Sequence, residues 1–157
     1  PICSACCVSA DGTVVVGSSR GEHIQAYRWT EASGMVGLGY PAGTSGSYAH
    51  AASADGSVIA GVADLVDGQG WEPFRWTAEE GMVRLGPLPK PTLTTSGQGP
   101  HDVSADGSIL VGNSRVGSNV YEAFIWKDAW GIRPLQAVLE ADYGRSRTTG
   151  RVLPAGV

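Results

Sequence analysis

The sequence contains few of the residues that most often carry out chemistry. Among its 157 residues, three are histidine, three are cysteine and two are methionine. No apolar run approaches the roughly 18 residues that a membrane-spanning helix requires, so we expect no membrane insertion. The first residues also lack the charged and apolar segments of a signal peptide. We therefore expect either a mature protein or a fragment of a longer one.

Charge is sparse and not concentrated in one place. Charged residues make up 17% of the chain, and the formal net charge is −4. The arginines are scattered, apart from the tail segment GRSRTTGR at 144–151. Nucleic-acid binding normally requires a clustered basic patch, so no nucleic-acid partner is expected.

Cysteine occurs only in the segment CSACC, as Cys3, Cys6 and Cys7. An odd and clustered set does not form a disulfide framework. Three interpretations stay open: small side chains in an N-terminal strand, a Cys3–Cys6 bridge, or half of a metal site.

Glycine, by contrast, is abundant, and one glycine-containing decapeptide occurs three times. VSADGTVVVG at 8–17 is followed by ASADGSVIAG at 52–61 and VSADGSILVG at 103–112. The aspartates Asp11, Asp55 and Asp106 are 44 and then 51 residues apart. Periods of this length are typical of repeat architectures, including the blades of β-propellers.

Each repeat predicts four short strands. The Asp-Gly pair favours a tight reversal, and the apolar run after it suits a strand buried on both faces. A third strand carries an aromatic residue two positions before a tryptophan, and Trp29, Trp76 and Trp126 are expected at equivalent buried positions. A fourth strand follows in each case.

We therefore predict an all-β protein of propeller-type, four-stranded antiparallel blades, three per chain. The repeats are expected at about 1–44, 45–95 and 96–135, and a short helix with an irregular tail at 136–157.

The pattern VSADGSxxVG, then EAFxW, then GMxxLG, resembles the HAF repeat of bacterial proteins described as probable extracellular repeat proteins. The resemblance covers about residues 5–144. The histidine of the naming tripeptide is absent from all three copies: QAY at 25–27, EPF at 72–74 and EAF at 122–124. The resemblance implies a propeller-like fold and an extracellular or periplasmic location, but no activity.

Aligning the repeats places Cys6, His50 and His101 at one position, two residues before the end of the first strand. The first strand of a propeller blade usually lies nearest the axis, so these side chains are candidates for a shared channel. Cysteine and histidine suit zinc or a similar ion. The alternative is three unrelated side chains at a tolerant position.

Two further sets of residues are candidate sites. His101 and Asp102, close to Ser104, suggest a base and an ion ligand for hydrolysis, although neighbouring strand residues face opposite ways. Asp64, Asp67 and Glu72, in a predicted glycine-rich loop, could supply oxygen ligands to calcium. A solvated acidic loop is the alternative. The three SADG aspartates are explained by turn formation.

Two functions follow from these observations. The first is an extracellular-type repeat propeller segment that acts as a binding or assembly module. The second is a metal-assisted hydrolase of small esters or lactones, with calcium, or less favourably zinc, and a small-molecule ligand in the channel. The second function rests on fold-level analogy.

Three blades are fewer than the four to eight that usually close a propeller. We therefore expect a homodimer that forms a ring of six blades.

Overall fold

The chain forms three four-stranded antiparallel sheets in sequence. A computed structural model describes residues 3–66, 70–86, 99–117 and 120–144. The tail from residue 145 onwards therefore lies outside the described residues. Strand order within each sheet follows the chain, which is the meander of a propeller blade. The predicted all-β fold with three such blades is confirmed.

The blades are numbered in chain order. Blade 1 contains β1 (Cys3–Val8), β2 (Val14–Arg20), β3 (Ile24–Thr30) and β4 (Gly34–Gly37). Blade 2 contains β5 (Thr44–Ala52), β6 (Ile59–Leu65), β7 (Trp71–Thr77) and β8 (Gly81–Arg84). Blade 3 contains β9 (Pro100–Val103), β10 (Ile109–Gly117), β11 (Val120–Lys127) and β12 (Gly131–Pro134).

One helix, α1 (Leu135–Tyr143), follows the last strand. It begins one residue earlier than expected from the sequence. It stops at Gly144, whose φ of 61° is left-handed and whose N–H bonds to the carbonyls of Leu139 and Glu140. This is a common way to end a helix.

Each blade has two different faces. The face that carries the tryptophan is called the leading face here, and the opposite one the trailing face. In blade 1 the trailing face presents Val14 and Val16, which are buried against Ile59 and Phe74 of the leading face of blade 2. The trailing face of one blade thus packs on the leading face of the next.

The same packing recurs between blades 2 and 3. Val58 and Ala60 of blade 2 form a second buried cluster with Leu110 and Trp126 of blade 3. The hydrophobic core is therefore divided between two inter-blade layers, and each layer takes side chains from both neighbouring blades.

The three tryptophans are equivalent in register but differ in burial. Trp126 is 6% exposed and Trp76 is half-buried, whereas Trp29 is 37% exposed. The expectation that all three are buried was therefore wrong for Trp29. The reason is its place in the arc, because among the described residues no blade precedes blade 1 to cover its leading face.

Candidate functional site

The SADG segments are turns that satisfy their own polar groups. In blade 2, Ser53 Oγ donates to Asp55 Oδ1 at 2.8 Å and accepts from the Val58 N–H at 2.9 Å. The Ser57 N–H also donates to Asp55 Oδ1, at 3.0 Å. Blades 1 and 3 repeat this arrangement around Asp11 and Asp106.

These hydrogen bonds favour the ionised carboxylates. The Ser57 backbone and side chain, followed by Ser53, lower the pKa of Asp55 to about 2. The equivalent groups, first among them Ser104, lower the pKa of Asp106 to about 2. The geometry supports turn formation as the role of these aspartates, because the donors that stabilise their charge belong to the same turn.

The aligned residues Cys6, His50 and His101 share an unusual backbone position. In each blade the pairing of the innermost strand with its neighbour shifts by one residue at this point. Each of the three is therefore the extra residue of a β-bulge. Bulges redirect a side chain and often occur next to functional sites. The sequence alignment could not show this, because a bulge is defined only by the partner strand.

His50 is affected by its burial and by two residues of blade 3. His50 is half-buried, and desolvation is the main cause that lowers its pKa. A hydrogen bond to the backbone of Pro100 opposes that shift, and the charge of His101 adds to it. His101 thus acts electrostatically on His50 across the boundary between blades 2 and 3.

The cysteines form a separate group in β1. All three are free thiols. Cys6 Sγ lies 3.4 Å from Cys7 Sγ, and Cys7 Sγ donates to the His50 carbonyl at 2.9 Å. Although Cys6 is exposed as a residue, desolvation around its sulfur, with the hydrogen bond and charge of Cys7, raises the pKa of its thiol to about 12. The thiol of Cys6 therefore keeps its proton at neutral pH in the metal-free protein.

The proposed hydrolytic pair has little support from its surroundings. His101 and Asp102 are both exposed, and Asp102 Oδ1 accepts from the adjacent Val103 N–H at 2.8 Å. Ser104 Oγ donates to Asp106 at 2.6 Å. The Ser104 hydroxyl is therefore already engaged within its own turn.

The acidic loop predicted around residues 64–72 differs from the structure. Asp64 lies in β6 and Glu72 in β7, opposite Trp71 and Ala63 respectively, so their side chains leave opposite faces of the sheet. Glu72 is buried and paired with Arg84 of β8. Asp67, the third member, lies outside the described residues. Placing Asp64 and Glu72 in one loop was wrong, because strand pairing separates them.

Within the described ranges, no group of three or more His, Cys, Asp or Glu side chains is arranged to hold a metal ion. No helix in that part of the chain is long and apolar enough to cross a membrane.

Sequence reasoning named the tryptophans but not the surface that they define. On the leading face of blade 1, Val8 of β1 is 59% exposed and Met35 of β4 is 51% exposed. Trp29 of β3 lies between them on the same face. Their equivalents in blade 2, Ala52 and Met82, pack against the inter-blade core. The repeat alignment shows that these three positions are apolar in every blade. Only the order of the blades in space shows that blade 1 is the one whose leading face is uncovered.

Comparisons with known proteins support the fold. No family model and no curated protein matches the chain. Among solved structures, TolB from Acinetobacter baumannii matches 87% of this chain at a TM-score of 0.61 and 14% identity. The putative TolB from Agrobacterium tumefaciens matches 82% of it at a TM-score of 0.58 and 20% identity. TolB is a β-propeller, and identities this low show likeness of fold alone.

This chain spans 32% and 44% of the lengths of those two proteins. It therefore corresponds to part of a propeller-containing protein in each case.

Proposed function

We propose that this chain is a propeller segment that acts as a binding or assembly module. The observation that carries the proposal is the uncovered leading face of blade 1, with Val8, Trp29 and Met35 exposed at positions that are packed in the other blades. Contiguous apolar surface of this kind marks interaction sites. The repeated polar groups of the SADG turns, in contrast, bond within their own turns.

The test is whether the protein uses this face at all. We expect concentration-dependent association in sedimentation velocity, and binding of the apolar dye anilinonaphthalene sulfonate that competes with it. Trp29→Glu should weaken both, because it places a charge in the middle of the face. A protein that stays monomeric and does not bind the dye would contradict the proposal. The matched control is Glu31→Gln, which changes an exposed residue in the turn after β3.

An extracellular or periplasmic location is part of this proposal. It is supported by the resemblance to the HAF repeat proteins. Fractionation of the native host, followed by detection of the protein in the cytoplasm alone, would contradict it.

A second candidate function is a channel site for a metal ion or small ligand, and with it metal-assisted hydrolysis of an ester or lactone. One observation favours it: His50 and His101 are each the extra residue of a bulge in the first strand of their blade, and His101 acts electrostatically on His50. His101 and Asp102 would then be the reacting pair.

This second function has a direct test. Calcium or zinc should raise the melting temperature of the protein, because a ligand that binds only the folded state stabilises it. The increase should disappear in a His50→Ala, His101→Ala variant. If neither ion shifts the melting temperature of the parent protein, the metal site is wrong and the hydrolase hypothesis loses its basis.

A further inference from the structure

Each pair of neighbouring blades is joined at its turns by one backbone hydrogen bond. The Ala10 N–H of blade 1 donates to the Ala54 carbonyl of blade 2 at 2.8 Å. The Ala54 N–H donates in turn to the Ala105 carbonyl of blade 3 at 3.1 Å. The groups that would extend this series are the Ala105 N–H at one end and the Ala10 carbonyl at the other.

On the trailing faces of blades 1 and 2, an arginine reaches the following blade. Arg28 Nε donates to the Gly56 carbonyl at 3.1 Å, and the Arg75 guanidinium lies 5.6 Å from the centre of the Trp126 ring. Contacts of this second kind are attractive because the ring face is electronegative. A valine, Val36 or Val83, stands directly opposite each arginine on the next strand.

Blade 3 keeps this pair of residue types but exchanges their strands. Ile125 occupies the position of Arg28 and Arg75, and Arg133 stands directly opposite it. The trailing face of blade 3 therefore still combines one arginine with one β-branched residue. It also exposes Val111, at 38%, which is the equivalent of the buried Val16 and Ala60.

A third contact lies between the middle of each trailing face and the innermost strand of the next blade. Ser18 Oγ of blade 1 accepts from the Ala49 N–H of blade 2 at 3.2 Å. At the next boundary the equivalent residues are Val62, which is apolar, and Pro100, which has no N–H to donate. Acceptor and donor are thus both present at one boundary and both absent at the other.

The trailing face of blade 3 has an acceptor at this position. Asn113 aligns with Ser18 and Val62, and its Oδ1 is buried without a hydrogen-bond partner among the described residues. A buried polar atom without a partner is costly, so a donor is expected to complete it. Because this oxygen is covered within its own chain, the Asn113 side chain must turn outwards before a second copy can supply that donor. The residue of blade 1 that aligns with Ala49 and Pro100 is Ala5, which has an N–H.

We infer that the trailing face of blade 3 binds the leading face of blade 1 of a second copy of this chain. In the single chain the Arg133 guanidinium lies 4.8 Å from the centre of the Trp130 ring. In the proposed contact it turns towards Trp29 of the partner subunit, and Asn113 Oδ1 accepts from the N–H of the partner subunit's Ala5. The Ala105 N–H donates to the carbonyl of the partner subunit's Ala10. The inference rests on the proposed assembly function and specifies its partner.

A second copy fits because the contact closes. Two arcs of three blades give six blades, within the range of closed propellers. The two contacts are then identical and are related by a two-fold axis along the channel, the commonest symmetry of soluble oligomers. Closure covers both terminal faces at once and places Cys6, His50 and His101 twice around the same channel.

The experiment is sedimentation velocity on the full chain over micromolar concentrations. We expect the parent protein to have twice the 16.2 kDa mass of one chain. Arg133→Glu should raise the dissociation constant at least about tenfold, because both contacts of the ring lose an attractive pair and 1.4 kcal/mol already equals a factor of ten. Arg20→Glu, an exposed charge reversal at the end of β2, is the matched control and should leave it unchanged.

Mixing two variants tests the direction of the contact. Trp29→Glu damages only the leading face of blade 1, and Arg133→Glu only the trailing face of blade 3. Each should dimerise more weakly than the parent protein, and an equimolar mixture should dimerise more tightly than either variant alone, because one of its two contacts is intact. An Arg133→Glu protein that dimerises as tightly as the parent would overturn the inference, since two leading faces would then be sufficient.

Asn113→Leu provides a readout that does not depend on charge. It removes the unpartnered oxygen, so the monomer should fold with unchanged or higher thermal stability while the dimer is weakened. A dimer insensitive to both Arg133→Glu and Asn113→Leu would overturn the assignment of the faces and leave the assembly function intact. A parent protein that binds the apolar dye but stays monomeric would overturn the second copy as the partner.

Discussion

Replacing Trp126 by alanine tests the blade stacking most directly. Its ring is 6% exposed, and it packs among Val58, Ala60 and Leu110 in the second inter-blade cluster. Truncating a buried tryptophan to alanine usually costs about 3–5 kcal/mol, as lost transfer free energy and as an unfilled cavity. The contact of Arg75 with the ring adds to this loss.

Trp29→Ala is the matched control, because it makes the same chemical change at the equivalent position of blade 1. With 37% of its area exposed, Trp29 should contribute less, about 1–2 kcal/mol in the monomer. Both values come from urea denaturation followed by far-ultraviolet circular dichroism, at a concentration below that of self-association.

The difference between the two variants is the decisive result. For a domain of this size, about 1 kcal/mol corresponds to a change of about 2–4 °C in the melting temperature. Trp126→Ala should therefore melt well below Trp29→Ala. A cost below about 1 kcal/mol for Trp126→Ala would mean that blades 2 and 3 do not pack as described.

Two further predictions concern the interior of a blade and its turns. Gly61→Ala should prevent or severely impair folding, because a Cβ at this position would lie 1.9 Å from the Tyr48 carbonyl oxygen. Gly21→Ala, where the nearest atom would be 4.0 Å away, should be tolerated, and soluble yield with circular dichroism compares the two. Stability should also fall as the pH is lowered from about 4 towards 2. The pKa values of Asp55 and Asp106 in the folded protein lie below the ordinary value of 3.8, so protonation removes the stabilisation that the charged carboxylates contribute. Acid titration of the melting temperature measures this loss, and an unchanged slope in an Asp55→Asn, Asp106→Asn variant would contradict it.

The sequence by itself determined the turns and the strands between them. In each SADG segment the serine, the aspartate and the residue two places after it are within five positions of one another, and they bond to one another in the structure. Interactions of such short range need no partner from elsewhere in the chain. The apolar run that follows is equally local, so the four-stranded repeat could be predicted from one sequence.

Other features depended on distant parts of the chain. The pairing of Glu72 with Arg84 follows from strand register. Glu72, predicted as a calcium ligand in a loop, is instead a buried strand residue paired with an exposed arginine. The bulges at His50 and His101 exist only relative to the neighbouring strands. A single alignment column therefore identified these residues but not their environment.

The burial of equivalent side chains was decided by the tertiary structure alone. Trp29 and Trp126 occupy the same register in nearly the same local sequence, yet one is exposed and the other is covered. A repeat sequence specifies which face of a blade is apolar, because that depends on the alternation of side chains along each strand. Whether the face is buried depends on the neighbouring blade, and blade 1 has no described blade on its leading side.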